Sequence, residues 1–296
     1  MIITSIRGGL GNRLFQYAIG RSAALKNSVE LKLDQLDFQE YIYHSGFRLY
    51  NFNITAQSAT LKEINSLGTR NRIVRKLARE GIYHYKKSSF CVEKRVEESK
   101  FRPDILKKRD LYLRGYWQNE NYFSDIRNVL LNDLILRDQL SVEASAILQE
   151  IKNTNSVAVH IRKSDPIGVD GKTGSDQWQP NSSGGLDMEY YRNAVKFISA
   201  RLTNPTFFIF SNNIKWCEEN LNELGLSNAR LIDRTNSELE DFELMRNARH
   251  NIVANSTFSW WAAWFNTFED KIVIAPKIWL DNWREHDPIP NSWERI

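Results

Sequence analysis

His160 and Arg162 close an apolar run, Ser156 to Arg162, and are followed by Lys163, Ser164 and Asp165. Alternation along a strand puts His160 and Arg162 on one face and Ile161 on the other. An unpaired charge inside a sheet is costly. At a strand's carboxyl end, however, a planar guanidinium can hold a phosphate through two parallel hydrogen bonds. An internal Arg162–Asp165 salt bridge is the plain structural alternative. Further on, Ser256 and Thr257 stand where a strand gives way to a strongly apolar helix containing Phe258, Trp261, Ala262 and Phe265. Exposed amides and two hydroxyls at a helix start can cradle a phosphate without a metal. Ordinary N-capping by Ser256 would need no ligand.

Between these motifs lie Glu238, Glu240, Asp241 and Glu243. One carboxylate can accept both donors on the Watson–Crick edge of guanine, and Asp241 is the candidate; the others read as exposed helix charges. Near the start, Gly8-Gly9-Leu10-Gly11-Asn12 separates a strand from a helix. Glycines there allow a tight turn and close approach of backbone to ligand. A dinucleotide fingerprint would want a third glycine at position 14, which is Leu14, although Asp34 sits near the distance of a ribose-binding acid. No Asp-X-Asp occurs, so the carboxylate pair that usually holds a divalent cation on a nucleotide diphosphate is missing. Cationic side chains and helix dipoles would have to do that work.

The elements that must position these residues follow from periodicity. Met1 to Arg7 reads as a strand, Gly8 to Asn12 as a turn, Leu14 to Lys26 as a helix, and Val29 to Leu33 as a strand ending at Asp34. From Gln35 to about Gly115 the pattern blurs, with a strand at Leu111 to Arg114 and a helix within Asn119 to Leu131. The second half is clearer. Strands at Ser156–Arg162, Thr206–Ser211, Arg230–Asp233, His250–Asn255 and Lys271–Ala275 alternate with helices at Met188–Leu202, Ile214–Leu224, Leu239–Arg249 and Phe258–Phe268. Ser237 with Glu240 is a capping box for the third of these helices. Val- and Ile-rich strands alternating with helices make an α/β protein with a parallel sheet. Ligands in such sheets bind beyond the carboxyl ends of the strands, here the loops after residues 7, 162, 211, 233 and 255. The expected domains are 1–150 and 151–296.

With 42% hydrophobic and 26% charged residues in 296, the composition is that of a globular chain and excludes disorder, collagen and coiled coil. No apolar run approaches a membrane span. The opening residues lack the basic start and sustained apolar stretch of a signal peptide, and two cysteines make no disulfide framework, so a cytoplasmic setting is expected. The five histidines show no zinc-hydrolase spacing. Between Arg70 and Asp110, fourteen basic residues face six acidic ones, a local +8 that leaves the rest of the chain at −4. That stretch is a solvated face or a docking site for anionic lipid headgroups; no nucleic-acid motif accompanies it. Seven of the nine tryptophans fall in the last 81 residues, as core packing or as a platform for a sugar.

Taken together, the motifs resemble glycosyltransferase family 11, the α-1,2-fucosyltransferases, in its short bacterial form. GGLGNRLFQYA (8–18) resembles the family's opening motif, HIRKSD (160–165) its HxRRxD, and EDFELMRNARHNIVANSTFSWWAAWF (240–265) its most distinctive block. The likeness runs in order from residue 1 to about 276. Arg13 stands where the family usually has Gln, Lys163 replaces a second Arg, and Ser211-Asn212-Asn213 replaces Ser-Asp-Asp.

The resemblance implies a GT-B architecture: two Rossmann-like domains facing across a cleft, an acceptor-side domain at 1–150 and a GDP-fucose-binding domain at 151–296. It implies inverting transfer of L-fucose from GDP-β-L-fucose, without cofactor or metal, to O2 of a terminal galactose on an oligosaccharide or lipid-linked glycan, as in bacterial O-antigen synthesis. Arg162 would neutralise the departing β-phosphate, His160 contact the nucleotide, Asp241 read guanine, and Ser256, Thr257 and Phe258 close on the diphosphate. Gly9, Gly11 and Asn12 would approach phosphate and fucose from the N-terminal side. Asp165 would be the general base or orient Arg162. The +8 stretch would fit peripheral contact with an anionic inner membrane. Two rivals remain open: a nucleotide-sugar-binding protein without turnover, and an NAD-dependent oxidoreductase.

Overall fold

A computed structural model describes residues 1–36, 47–80, 88–93, 101–162, 186–226, 229–232, 237–279 and 288–296. Its contacts divide the chain into two units, Met1–Asp138 with Glu285–Pro288 and Gln139–Arg284 with Ile289–Ile296.

In the first unit, β1 (Ile2–Ser5) runs into α1 (Leu10–Asn27), and β2 (Leu31–Asp34) follows. After β3 (Gln57–Ser58) come α2 (Leu61–Leu67), α3 (Arg72–Arg79), β4 (Phe90–Val92) and β5 (Leu111–Arg114). The sheet order is β3-β2-β1-β5-β4, with every pairing parallel. β1 is buried on both faces, as a central parallel strand must be. Its first crossover, through α1, leads to β2 on one side, while β5 lies on the other, so the direction of winding reverses at β1. Gly20 lets α1 lie close on the sheet: a Cβ there would stand 2.8 Å from Leu31 Cδ1 and closer still to Thr4 Oγ1.

The expected helix at Leu14 begins earlier, at Leu10, because Gly9 serves as N-cap with φ −70° and ψ 172°. Gly8, at φ +79°, makes the turn by itself. Gly11 and Asn12 therefore belong to the helix's first turn rather than to a loop. Within Asn119–Leu131 the chain makes 3₁₀ turns at Glu120–Tyr122 and Ser124–Ile126 before α4 (Arg127–Asp133).

The second unit opens with α5 (Val142–Asn153) and continues through β6 (Asn155–Ile161), α6 (Met188–Ser199), β7 (Pro205–Ser211) and α7 (Ile214–Asn220). Next come β8 (Arg230–Leu231), α8 (Glu238–Arg246), β9 (His250–Ile252), α9 (Thr257–Phe265), β10 (Val273–Ala275) and β11 (Glu294–Arg295). The order is β11-β10-β9-β6-β7-β8, again all parallel. Winding runs from β6 to β8 on one side and from β9 to β11 on the other. One face of β6 (Val157, Val159, Ile161) packs on Tyr191, Ala194, Val195 and Ile198 of α6. Trp260, Trp261, Trp264, Trp279 and Trp293 are all buried, with Trp260 and Trp264 stacked at 6.0 Å. Core packing, not a sugar platform, accounts for them.

Candidate functional site

In open α/β sheets ligands collect outside the carboxyl ends of the strands where winding reverses. In the second unit that place lies between β6 and β9, and the chain puts Arg162 directly after one strand and Ser256 shortly after the other. Arg162 Nη1 donates to Ser256 Oγ at 3.5 Å. Ser256 is the N-cap of α9, yet its side chain makes no capping hydrogen bond. The capping alternative is therefore not how this hydroxyl is used; it faces the guanidinium. Two adjacent tyrosines of α6 pin the two strand ends. Tyr191 Oη accepts the Arg162 amide at 3.3 Å, and Tyr190 Oη donates to the Val253 carbonyl at 2.6 Å.

His160 is 8% exposed, with its ring 5.8 Å from Phe258. Burial, and then the nearby Arg162 charge, push its pKa down to about 3, so the imidazole is neutral at physiological pH. Its Nδ1 has no hydrogen-bond partner among the described residues. Phe258 also packs on Phe242 of α8, with ring centroids 5.7 Å apart. That contact ties the first turn of α8, which carries Asp241, to the same end of the sheet. Among the four acids weighed there, Glu240 completes the capping box with Ser237 and accepts the Ser141 amide at 2.8 Å. Glu243 lies 3.6 Å from Arg246 and holds Asn247, Glu238 is exposed, and Asp241 is half-buried.

The structure thus brings His160, Arg162, Asp241, Ser256, Thr257 and Phe258 to one end of one sheet. Asp165, with Lys163 and Ser164, lies outside the described residues, as does Asp233. The arrangement offers a fork-shaped cation, a hydroxyl beside it and a helix start at a strand-end crevice, which suits a doubly charged phosphate ester.

Gly9, Gly11 and Asn12 sit at the winding reversal of the first unit. Arg13, fully buried, donates from Nε to the Gly8 carbonyl at 2.6 Å and so clamps the glycine turn. Gln16 bridges the Arg7 amide (2.9 Å) and the Gly115 carbonyl (3.1 Å), joining the loop after β1 to the loop after β5. Asp34 is not placed to meet a ribose. It is 3% exposed, accepts from Tyr112 Oη at 2.5 Å and lies 3.7 Å from Arg75.

Sequence reasoning missed Tyr190 and Tyr191, and also Tyr116 and Gln118 beside the glycine turn. The signal for the second pair was present: Gly115-Tyr116-Trp117-Gln118 follows a strand, and the strand-end rule applies to it as to the other loops.

No helix among the described residues is long and apolar enough to cross a membrane. A family model described as glycosyl transferase family 11 matches residues 1–295. An alpha-1,2-colitosyltransferase of Escherichia coli is 32% identical over 302 residues, covering 100% of this chain and 99% of that one. The O-antigen biosynthesis glycosyltransferase WbnK of Escherichia coli is 29% identical over 315 residues, covering 97% and 98%. In fold, the chain is similar to the fucosyltransferase NodZ from Bradyrhizobium, with a TM-score of 0.51 at 13% identity, over 88% of this chain and 91% of that one. Its two parallel-sheet units are the two Rossmann-like domains of a GT-B fold. The chain is a glycosyltransferase and belongs to glycosyl transferase family 11.

Proposed function

We propose that the protein transfers L-fucose, with inversion, from GDP-β-L-fucose to a hydroxyl of a galactose-terminated glycan during bacterial surface polysaccharide synthesis. The observation that carries this reading is the Arg162 guanidinium facing Ser256 at the start of α9. Breaking the C1–O bond of a sugar nucleotide leaves negative charge on the β-phosphate and an oxocarbenium-like sugar, so stabilising the departing diphosphate dominates the barrier. Arg162 supplies a fixed positive fork there, Ser256 its hydroxyl, and Thr257 and Phe258 the amides of the helix start, the Ser256 amide being bonded to the Ala254 carbonyl. His160, held neutral, adds no competing charge and presents a ring nitrogen to the nucleotide. Asp241 takes guanine, and Gly9, Gly11 and Asn12 approach the fucosyl phosphate. Asp165 serves as base or as the group that orients Arg162. The reaction uses no metal, because the cation's work is assigned to Arg162 and the helix dipole.

A second donor is favoured by one specific observation, the likeness to a colitosyltransferase over the whole chain. Colitose is L-fucose without its 3-hydroxyl, so the same phosphate and guanine contacts serve GDP-colitose. The setting proposed is the cytoplasmic face of the membrane. In support, α3 exposes Arg72, Lys76 and Arg79 beside Ile73, which is 70% exposed, a surface suited to anionic headgroups. A membrane fraction that keeps the protein through a high-salt wash would rule out this electrostatic attachment.

The deciding experiment is calorimetric titration with GDP-fucose, GDP-colitose and UDP-galactose in EDTA, followed by GDP release on terminal-galactose oligosaccharides. Binding of one GDP-sugar in EDTA, with acceptor-dependent GDP release, is expected. A strict metal requirement overturns the metal-free mechanism, and absence of guanine-nucleotide binding overturns the whole reading.

A further inference from the structure

The winding reversal of the first unit carries a second cluster, built from the ends of β1 and β5. Arg7, just past β1, lays its guanidinium 4.5 Å from the centre of the Tyr116 ring. Arg7 has no carboxylate partner among the described residues, and its Nε is buried without a hydrogen bond there. Gln118 Nε2 donates to Asn12 Oδ1 at 2.7 Å, placing two side-chain amides side by side at the start of α1. Tyr116, Gln118, Asn12 and Gly9 are all half-buried, so the cluster reaches the surface.

The turn that presents Tyr116 and Gln118 is held rigidly. The Glu93 carboxylate accepts the Tyr116 amide at 2.6 Å and the Trp117 amide at 3.1 Å. Trp117 is kept at φ +56°, a conformation costly for a bulky residue. Gly115 lies so close to Glu93 that a Cβ would overlap the carboxylate. Strain of this kind persists only where the surroundings over-determine it. Here the result is one aromatic ring and two oriented amides fixed at a strand-end crevice.

We infer that Tyr116 and Gln118, with Asn12, form a pyranose subsite that receives the acceptor sugar. The face of the Tyr116 ring opposite Arg7 meets an apolar CH face, and the amides, each both donor and acceptor, meet hydroxyls. This assignment rests on the proposed glycosyl transfer for its role, but not for the binding itself.

The test uses the full chain and methyl β-D-galactopyranoside, methyl β-D-glucopyranoside and methyl N-acetyl-β-D-galactosaminide as probes. Saturation-transfer NMR reports sugar binding, and calorimetry reports GDP-fucose separately. Wild type is expected to show saturation transfer to at least one glycoside. Tyr116→Ala and Gln118→Ala should lose it by tenfold or more and Tyr116→Phe should retain it, and the two Tyr116 variants should bind GDP-fucose within twofold of wild type and melt within a few degrees of it. In turnover, Tyr116→Ala should raise the acceptor KM and leave the donor KM alone. Undiminished glycoside binding in the alanine variants overturns the subsite, as does a wild type that binds none of the three. Parallel loss of GDP-fucose affinity in Tyr116→Ala also overturns it, by moving the turn to the donor. Failure of wild type to bind GDP-fucose while still binding the glycoside refutes the proposed donor and leaves the subsite standing.

Discussion

Gly9 has φ −70° and ψ 172°, which any residue can adopt, and a Cβ built there meets nothing within 4 Å. The fold therefore does not require glycine at this position; a ligand approaching the backbone would. Gly9→Ser adds an N-cap hydroxyl and restricts the unfolded chain, so it should stabilise the protein by a few tenths to about 1 kcal/mol. The same hydroxymethyl group should lower turnover about tenfold by displacing what approaches the turn. Thermal melts and GDP release on one preparation check both; unimpaired turnover removes Gly9 from the site. Arg162→Ala should lower kcat by roughly 10²–10³, the range for losing one preorganised charge-stabilising donor. Arg162→Lys should recover only part of it, since a point charge replaces a fork. Near-normal release by either variant would sink the assignment. His160 gives a pH signature. In the fold it stays neutral down to about pH 3, whereas an ordinary histidine takes a proton below about 6.5. Across that window the unfolded state binds more protons, so stability falls as pH drops from about 6.5 toward 3. Urea melts at pH 6.5 and 5 should show wild type losing about 1.6 kcal/mol in all relative to His160→Gln, because the unfolded histidine is only half protonated at the upper pH. A parallel decline would mean that His160 is not buried neutral.

The packing of α1 on its sheet depends on Gly20. Gly20→Ala places a methyl group within 2.8 Å of Leu31 Cδ1 and nearer still to Thr4 Oγ1. It should cost about 1–3 kcal/mol and tilt the helix whose first turn carries Gly11 and Asn12. Chemical denaturation checks the cost, and an unchanged midpoint would contradict the tight contact. Local signals in the sequence were reliable where neighbours a few residues apart decide the outcome. Ser237 and Glu240 form the capping box that their spacing suggests, and the strands around Val157 and Phe208 are where β-branched and aromatic runs place them. Distant partners were harder to foresee. β3 and β4, with two and three residues, exist because β2 and β5 lie beside them, and no period survives in so short a stretch. The double glycine read as a loop because the amides of a helix start look the same in sequence whether or not the helix has begun. In the second unit, His160, Arg162 and Ser256 were legible as a group from strand alternation and the strand-end rule. Tyr191 was not, since its hydroxyl meets the Arg162 amide only once α6 is laid against β6.

Two separate sheets, each with its own reversal point, lead to a divided footprint. In hydrogen exchange, GDP-fucose alone should protect amides at 9–12, 160–162 and 257–259, and a galactoside should add protection at 116–118. Donor at a hundred times its Kd should stabilise the unit that holds it by about 2.7 kcal/mol. Protection at 116–118 from donor alone would reassign that turn. The central position of β1 has a consequence for how the chain is made. Ile2 pairs with Leu31 on one side and with Leu111 on the other. A ribosome adding about 5–20 residues per second needs roughly 4–15 seconds to travel from β2 to β5. During that interval the central strand of the unit has one open edge, available to any other nascent chain. Capture of that edge by a holdase, or by a neighbouring polypeptide, then decides how much of each batch is recovered soluble, before the finished sheet has any stability to contribute.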